Sequence, residues 1–335
     1  MTATTSTRQT VSTITGLPLN QLDMRRSAVT ARQDLAWALR QQGYRNADIM
    51  TMVGFNDTSS VSTAIKRGRE RAVLNGGQFA ARRFGVEIEF TGTTRRAVLN
   101  RLMEIEPGFP VEIQGYNHRV GSVWKLITDA SVSRNSEGEG LEAVSPILQG
   151  EEGYRQLGVL LTAIVETGGK VDKSCGLHIH HDANDLTPAQ VAKLVGLYVT
   201  NQHLMDQLVS RSRRAGQAHY CQPVSATEHE RVQSTLKSGA RVEAHLVSRF
   251  KTINVMSYPK YGTIEIRQHQ GTLSSKKISA WHKVGQAMVH AAINGAEAEA
   301  PRFETLPELM EYLKTTGGLN AETAAYMLER AEDLS

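Results

Sequence analysis

Only two cysteines, Cys175 and Cys221, occur among the 335 residues, so no disulfide framework is implied and a reducing, cytoplasmic setting is expected. No stretch approaches the roughly 20 consecutive apolar residues that span a bilayer, so no membrane partner is expected. The opening segment, MTATTSTRQTVSTITG, lacks an apolar h-region. It is expected to be no secretory signal, and residues 1–24 read as a disordered Thr/Ser tail. No Gly-x-x-x-x-Gly-Lys loop is present, so a phosphate cradle of that kind is excluded. There is no internal repeat. What remains is ordinary for a soluble globular chain: 40% hydrophobic and 21% charged residues, with length enough for two domains and a large core.

Charge is unevenly placed. Residues 1–83 carry 12 Lys/Arg against 5 Asp/Glu, a net +7, while the remainder carries 26 against 29, a net −3. Such an asymmetry fits either a segment that meets a polyanion or a basic solvated helical face. Within it, Ala31, Leu35, Ala38 and Leu39 share one helical face before Gly43. Asn46 suits the N-cap of a second short helix ending at Gly54. Asp57 or Thr58 can cap a third helix whose apolar stripe is Val61, Ala64, Ile65, Gly68 and Ala72. Its other face carries Ser59, Ser62, Thr63, Lys66, Arg67 and Arg69. Residues 25–78 therefore have the outline of a helix-turn-helix-like domain, with nucleic acid as a partner through its basic helices. The plainer alternative is a helical accessory or dimerisation domain. Asn75-Gly76-Gly77 reads as a linker.

From Phe84 onward, short β-rich runs alternate with helical stretches at 153–167 and 187–210, which predicts an α+β domain on an antiparallel or mixed sheet. Residues 303–332 read as two packing helices around Gly317-Gly318.

Alternation along a strand places residues two apart on one face. In FGVEIEF, Glu87 and Glu89 share a face opposite Val86, Ile88 and Phe90. Two carboxylates so close repel unless a cation lies between them, which suits a hard divalent ion. In CGLHIHH, His178 and His180 share a face opposite Leu177 and Ile179. In YGTIEIRQH, the spacing puts Thr263, Glu265, Arg267 and His269 together, and Gly271-Thr272 follows as a place where backbone can approach a phosphate. In WKLITDAS, Lys125, Asp129 and Ser131 share a face interrupted by Ile127. Glu142 lies on a further strand after a polar turn at 133–140. Each run alone is compatible with a solvated strand. Together they describe a sheet with one greasy face and one face of Glu, His, Asp and Arg, a platform for metal and phosphate.

The order FGVEIE, WKLITDAS, LEAVSPIL, CGLHIHHD and TIEIRQHQGT, with Trp281 after it, resembles the putative amidoligase family of the carboxylate–amine ligase superfamily, alongside glutamine synthetase and glutamate–cysteine ligase. The resemblance covers about residues 84–290. It implies a glutamine synthetase-like antiparallel sheet forming an open trough backed by helices, with residues 82–295 as the catalytic domain and 296–335 as C-terminal helices. It further implies an ATP- and Mg²⁺-dependent ligase that forms an amide through an acyl phosphate. Small-molecule or peptide acids and amines would be its substrates. By the same resemblance Glu87, Glu89, His178, His180 and Glu265 would hold metal. Arg267, Lys125 and Thr272 would meet the nucleotide, and Arg267, Asp129 and Glu142 would serve the chemistry. The Arg211–Arg214 run and the Tyr220-Cys221 that follows look like the family's substrate-side loop. Two other readings remain open: a zinc-dependent hydrolase built on the His-x-His strand with Cys175 and His181, and a DNA-binding regulator whose ligase-like domain senses a ligand.

Overall fold

A computed structural model describes residues 26–41, 44–75, 82–115, 117, 120–132, 139–214, 219–240, 242 and 247–335. The expected N-terminal tail, the Gly43 stop, the linker glycines Gly76 and Gly77, and most of the polar turn before Glu142 lie outside the described residues. The chain divides into two compact units, residues 1–75 and 76–335.

The first unit holds α1 (Arg26–Gln41), α2 (Asn46–Val53) and α3 (Thr58–Asn75). Ala36, Leu39, Ile49, Val61 and Ala64 form its core, with Leu35, Met50, Val53, Phe55 and Ile65 packed around them. Asn46 is the first helical residue rather than the cap. The cap position falls to Arg45, whose N–H donates to the Asp48 carboxylate at 3.3 Å.

The second unit is a seven-stranded sheet with helices. In chain order it runs β1 (Phe84–Phe90), α4 (Arg95–Ile105), β2 (Val111–Ile113), β3 (Trp124–Thr128), β4 (Leu141–Val144), α5 (Gly150–Glu166) and β5 (Gly176–Asp182). There follow α6 (Pro188–Thr200), α7 (Gln202–Met205), α8 (Ala226–Lys237), β6 (Ile253–Asn254), α9 (Tyr258–Tyr261), β7 (Thr263–Gln270), α10 (Ser275–Asn294), α11 (Leu306–Thr315) and α12 (Ala321–Leu334). The spatial order is β2-β3-β4-β1-β5-β7-β6. Every pairing is antiparallel except the parallel β2–β3 pair, so the sheet is mixed and open. No helix among the described residues is long and apolar enough to cross a membrane.

One face of this sheet is the core. Val86, Ile88 and Phe90 of β1, Leu177 and Ile179 of β5, and Ile264 and Ile266 of β7 are all buried. Helix α10, capped by Ser274, crosses behind them and is buried along most of its length. It approaches β5 so closely that a Cβ at Gly285 would lie 2.3 Å from His181 Nε2. His181 thus points into this rear layer, with its ring stacked 5.4 Å from that of His282. Burial pushes its pKa down to about 3, so it stays a neutral core residue.

Phe90 is fully buried in this layer. Phe90→Ala is expected to destabilise the unit by about 3–5 kcal/mol, seen as a lower urea midpoint with an unchanged slope.

Candidate active site

The other face carries the polar residues, and the strand register decides who meets whom. Glu89 on β1 lies directly opposite Glu142 on β4, and Glu87 lies opposite His178 on β5. His180 lies opposite Glu265 on β7, and Glu265 in turn opposite Asn254 on β6. These side chains floor an open cleft of about 960 Å³. Glu87, Glu89, Lys125, Asp129, Glu142, His178, His180, Glu265 and Arg267 all line it, so nine of the ten residues singled out from the sequence come together. Thr272 does not. It lies buried beyond the end of β7, and its hydroxyl accepts from Ser274 N at 3.2 Å.

His269 departs from the alternation expected of β7. Leu177 pairs with His269 and Ile179 with Ile266, so Arg267 and Gln268 together oppose the single residue His178. This β-bulge resets the faces. Arg267 stays in the cleft, whereas His269 turns to the core side, its ring 5.2 Å from that of Trp281. Ile127, which seems to interrupt the polar face of β3, sits on the cleft side by the register and lines it as an apolar patch.

Hydrogen bonds divide the acids into two sets. Glu87 meets His178 Nδ1 at 3.0 Å and His180 Nε2 at 3.3 Å. Burial alone would raise its carboxyl, but the two imidazoles outweigh burial and hold it well below the usual range. Glu265 accepts from Asn254 Nδ2 at 2.6 Å and from Arg267 Nη1 at 2.5 Å. Its pKa is lowered too, because Arg267 and His180 overcome the effect of burial. His180, for which burial works the other way, is raised by the charges of Glu265 and Glu87.

Glu142 belongs to the opposite case. Burial pushes its pKa well above the normal value, and the neighbouring charges of Glu87, Glu89 and Asp129 push it further. Like charges directly opposite on a sheet destabilise it, and here Glu89 and Glu142 are only 5% and 6% exposed. Glu89 accepts from the Gly176 N–H at 2.6 Å and lies 3.6 Å from His178 Nε2. Asp129, at the cleft edge, accepts from Ser131 N and Oγ at 2.7 Å each.

Three groups offer ligand atoms within 4.8 Å of one another: Glu87/His180/Glu265, Glu87/Glu142/His178 and Glu89/Asp129/Glu142. The residues fit a bound cation, because a raised, crowded carboxyl such as Glu142 is the group that a cation would relieve. Carboxylate oxygens outnumber imidazoles in every group, a donor set suited to a hard ion such as Mg²⁺ rather than to zinc. Cys175 and His181 take no part in these groups.

Asn254 escaped the sequence reading, and Arg213 entered it only as part of the Arg211–Arg214 run. Asn254 sits on a two-residue strand, too short to show alternation. Arg213 lies within a run where spacing alone does not say which arginine turns inward. It is buried, and its Nε has no hydrogen-bond partner among the described residues; the same holds for Arg267 Nε. A Cβ placed on Gly176 would lie 2.8 Å from Arg213 Nη2 and 3.0 Å from His178 Nε2, so this guanidinium stands beside the carboxylate–imidazole cluster. A buried cation with unused donors favours an anion.

Glu142 has a signature in the metal-free protein. Its folded pKa lies above the unfolded one, so the stability it contributes is complete below the ordinary glutamate range and is lost as pH rises through the folded value. In a chelator, Glu142→Gln should therefore raise the melting temperature at pH 8, and the gain should vanish towards pH 4. A melting temperature lowered equally at both pH values would contradict the assignment.

A family model described as a putative amidoligase enzyme matches residues 80–289. That span holds every residue of the three clusters, the bulge in β7, Arg213 and most of α10. No curated protein matches the chain.

Proposed function

The chain belongs to the putative amidoligase family, and from that membership we propose that it joins a carboxylic acid to an amine as an amide, using ATP and Mg²⁺ in a glutamine synthetase-like trough. The observation that carries the proposal is the convergence, on one sheet face, of acidic clusters able to hold cations with the buried Arg213 and the partly buried Arg267, whose Nε atoms have no partner among the described residues.

A carboxylate is a poor acyl donor because oxide is a poor leaving group. In the proposed first step an oxygen of the acid attacks the γ-phosphorus of ATP. The bond to the β–γ bridging oxygen breaks, ADP departs with its electron pair, and an acyl phosphate remains. In the second step the amine nitrogen attacks the acyl carbon and inorganic phosphate leaves. Bound Mg²⁺ would supply charge neutralisation for the phosphate oxygens. Glu87, Glu89, His178, His180, Glu142 and Glu265 would hold it, drawing on the three groups described above.

The chain's own residues do the rest. Arg267, fixed by its ion pair with Glu265, aims its remaining donors at the phosphoryl group in transit. Arg213 meets phosphate or carboxylate from the neighbouring side. Lys125 has its pKa lowered by burial, and its Nζ donates to the Asn117 side chain at 3.3 Å in the same cleft. With Glu142 committed to the cation, Asp129 is the acceptor for the proton that the amine sheds. An ATP-consuming reaction fits the cytoplasmic setting expected from the sequence.

Thermal unfolding with a non-hydrolysable ATP analogue tests the reading before any substrate is known. A ligand at about 100 times its dissociation constant adds about 2.7 kcal/mol of stability. Mg²⁺ and the analogue should stabilise wild type together, and Glu89→Gln should abolish the shift. A shift produced by zinc alone, with the nucleotide inert, would remove the ligase reading. Once a substrate pair is found, Arg267→Lys should lower kcat by about 10²- to 10³-fold, the usual loss of one transition-state donor, with a smaller change in KM for ATP.

A further inference from the structure

Helices α1 to α3 lie outside the family match, and the chemistry of the cleft makes no use of them. We propose that this unit binds double-stranded DNA, with the first three turns of α3 entering the major groove. The proposal stands apart from the ligase reading.

The local geometry is that of two helices joined by a short rigid turn. Helix α2 has eight residues and ends at Gly54, whose φ of 77° is the left-handed conformation open to glycine. Gly54 N and Phe55 N both donate to Met50 O, each at 2.9 Å, and close the turn. The Arg32 side chain of α1 donates to Gly54 O and lies 4.7 Å over the Phe55 ring. Asp57 then caps α3, accepting from Ser60 N at 2.7 Å and from Ser60 Oγ at 2.8 Å. Val61 and Ala64 bury one side of α3 against the core. Asn46 Nδ2 donates to Ser62 Oγ at 3.1 Å, tying the start of α2 across α3. The second helix is therefore held from three directions while its outer side stays open.

That outer side is chemically uniform. Ser59, Ser62, Thr63, Lys66 and Arg67 are all exposed, and their spacing of three and four places them in one stripe. No acidic residue occurs between Thr58 and Gly68, and no large apolar side chain belongs to the stripe. A protein partner or a lipid surface would call for aromatic or aliphatic anchors there. Hydroxyls, an ammonium and a guanidinium instead match base edges and phosphates. An α-helix fits the major groove of B-form DNA, whereas the deep, narrow major groove of A-form RNA does not admit one. Residues 1–75 carry 10 Lys/Arg against 5 Asp/Glu, and this net +5 complements the same partner.

The test uses the full chain and duplexes of about 30 base pairs, selected from a random-sequence pool in the presence of non-specific competitor DNA. Fluorescence anisotropy over a range of salt concentrations gives the affinities. Wild type is expected to enrich a defined sequence, with binding that weakens as salt rises. Lys66→Ala and Arg67→Ala should each weaken it by about tenfold, as expected for loss of a direct groove contact. Thr63→Ala should change the enriched sequence. Lys237→Ala, an exposed charge in the other unit, should change nothing. Circular dichroism melting should be the same for all four variants, which separates lost contacts from lost folding. Failure to enrich any sequence, with Lys66→Ala and Arg67→Ala binding like wild type, would overturn the proposal. Equal or tighter binding to duplex RNA would overturn it too.

Discussion

Glu89 and Glu142 face each other across the β1–β4 ladder, both nearly buried. Neither can turn away, because the apolar neighbours of each on its own strand are locked into the core behind the sheet. Gly176 N–H and His178 ease Glu89, whereas the burial and repulsion of Glu142 call for a proton or a cation. The remaining acids of the cleft are already compensated, Glu87 by two imidazoles and Glu265 by Arg267 and Asn254. The site is thus polarised before any ligand arrives. Its β5–β7 side is satisfied by the chain's own residues, and its β4 side is left to an incoming positive charge.

How much of this could be read from the residues alone follows from the range of the signal. The pairs Glu87/Glu89 and His178/His180 announce themselves, because a strand's period of two is local and survives in a seven-residue window. The same rule fails at His269, where the bulge inserts an extra residue that leaves no local trace. It misleads at Ile127, whose apolar type hides a cleft position. The facing of Glu89 and Glu142 depends on strand register, which is a long-range property of the folded sheet. Thr272 follows a glycine that suggests a phosphate contact, yet its hydroxyl serves the turn that starts α10.

The helical parts show a similar divide. The turn at Gly54 is legible because the glycine marks both the end of α2 and the need for a left-handed residue, while the cap of that helix is displaced by one position to Arg45. Helices α11 and α12 carry no chemical signal in their residues. In the fold α12 braces the site from outside: Leu334 O accepts from Arg214 Nη2 at 2.7 Å, next to Arg213. Arg330 Nη2 lies 3.5 Å from His269 Nε2 on the bulged strand.

The bulge in β7 has the form of an inserted codon. Its additional residue, Gln268, is put to use away from the cleft, accepting from Gln202 Nε2 at 3.0 Å and donating to Asp206 at 2.5 Å. Removing it on paper restores a regular ladder in which Arg267 still faces the cleft and His269 still faces the core. The insertion therefore leaves both faces of the sheet intact. Aligning this chain with a relative whose strand is regular would require a one-residue gap at this point. Without that gap, either Arg267 or His269 would be matched to a residue of the wrong face.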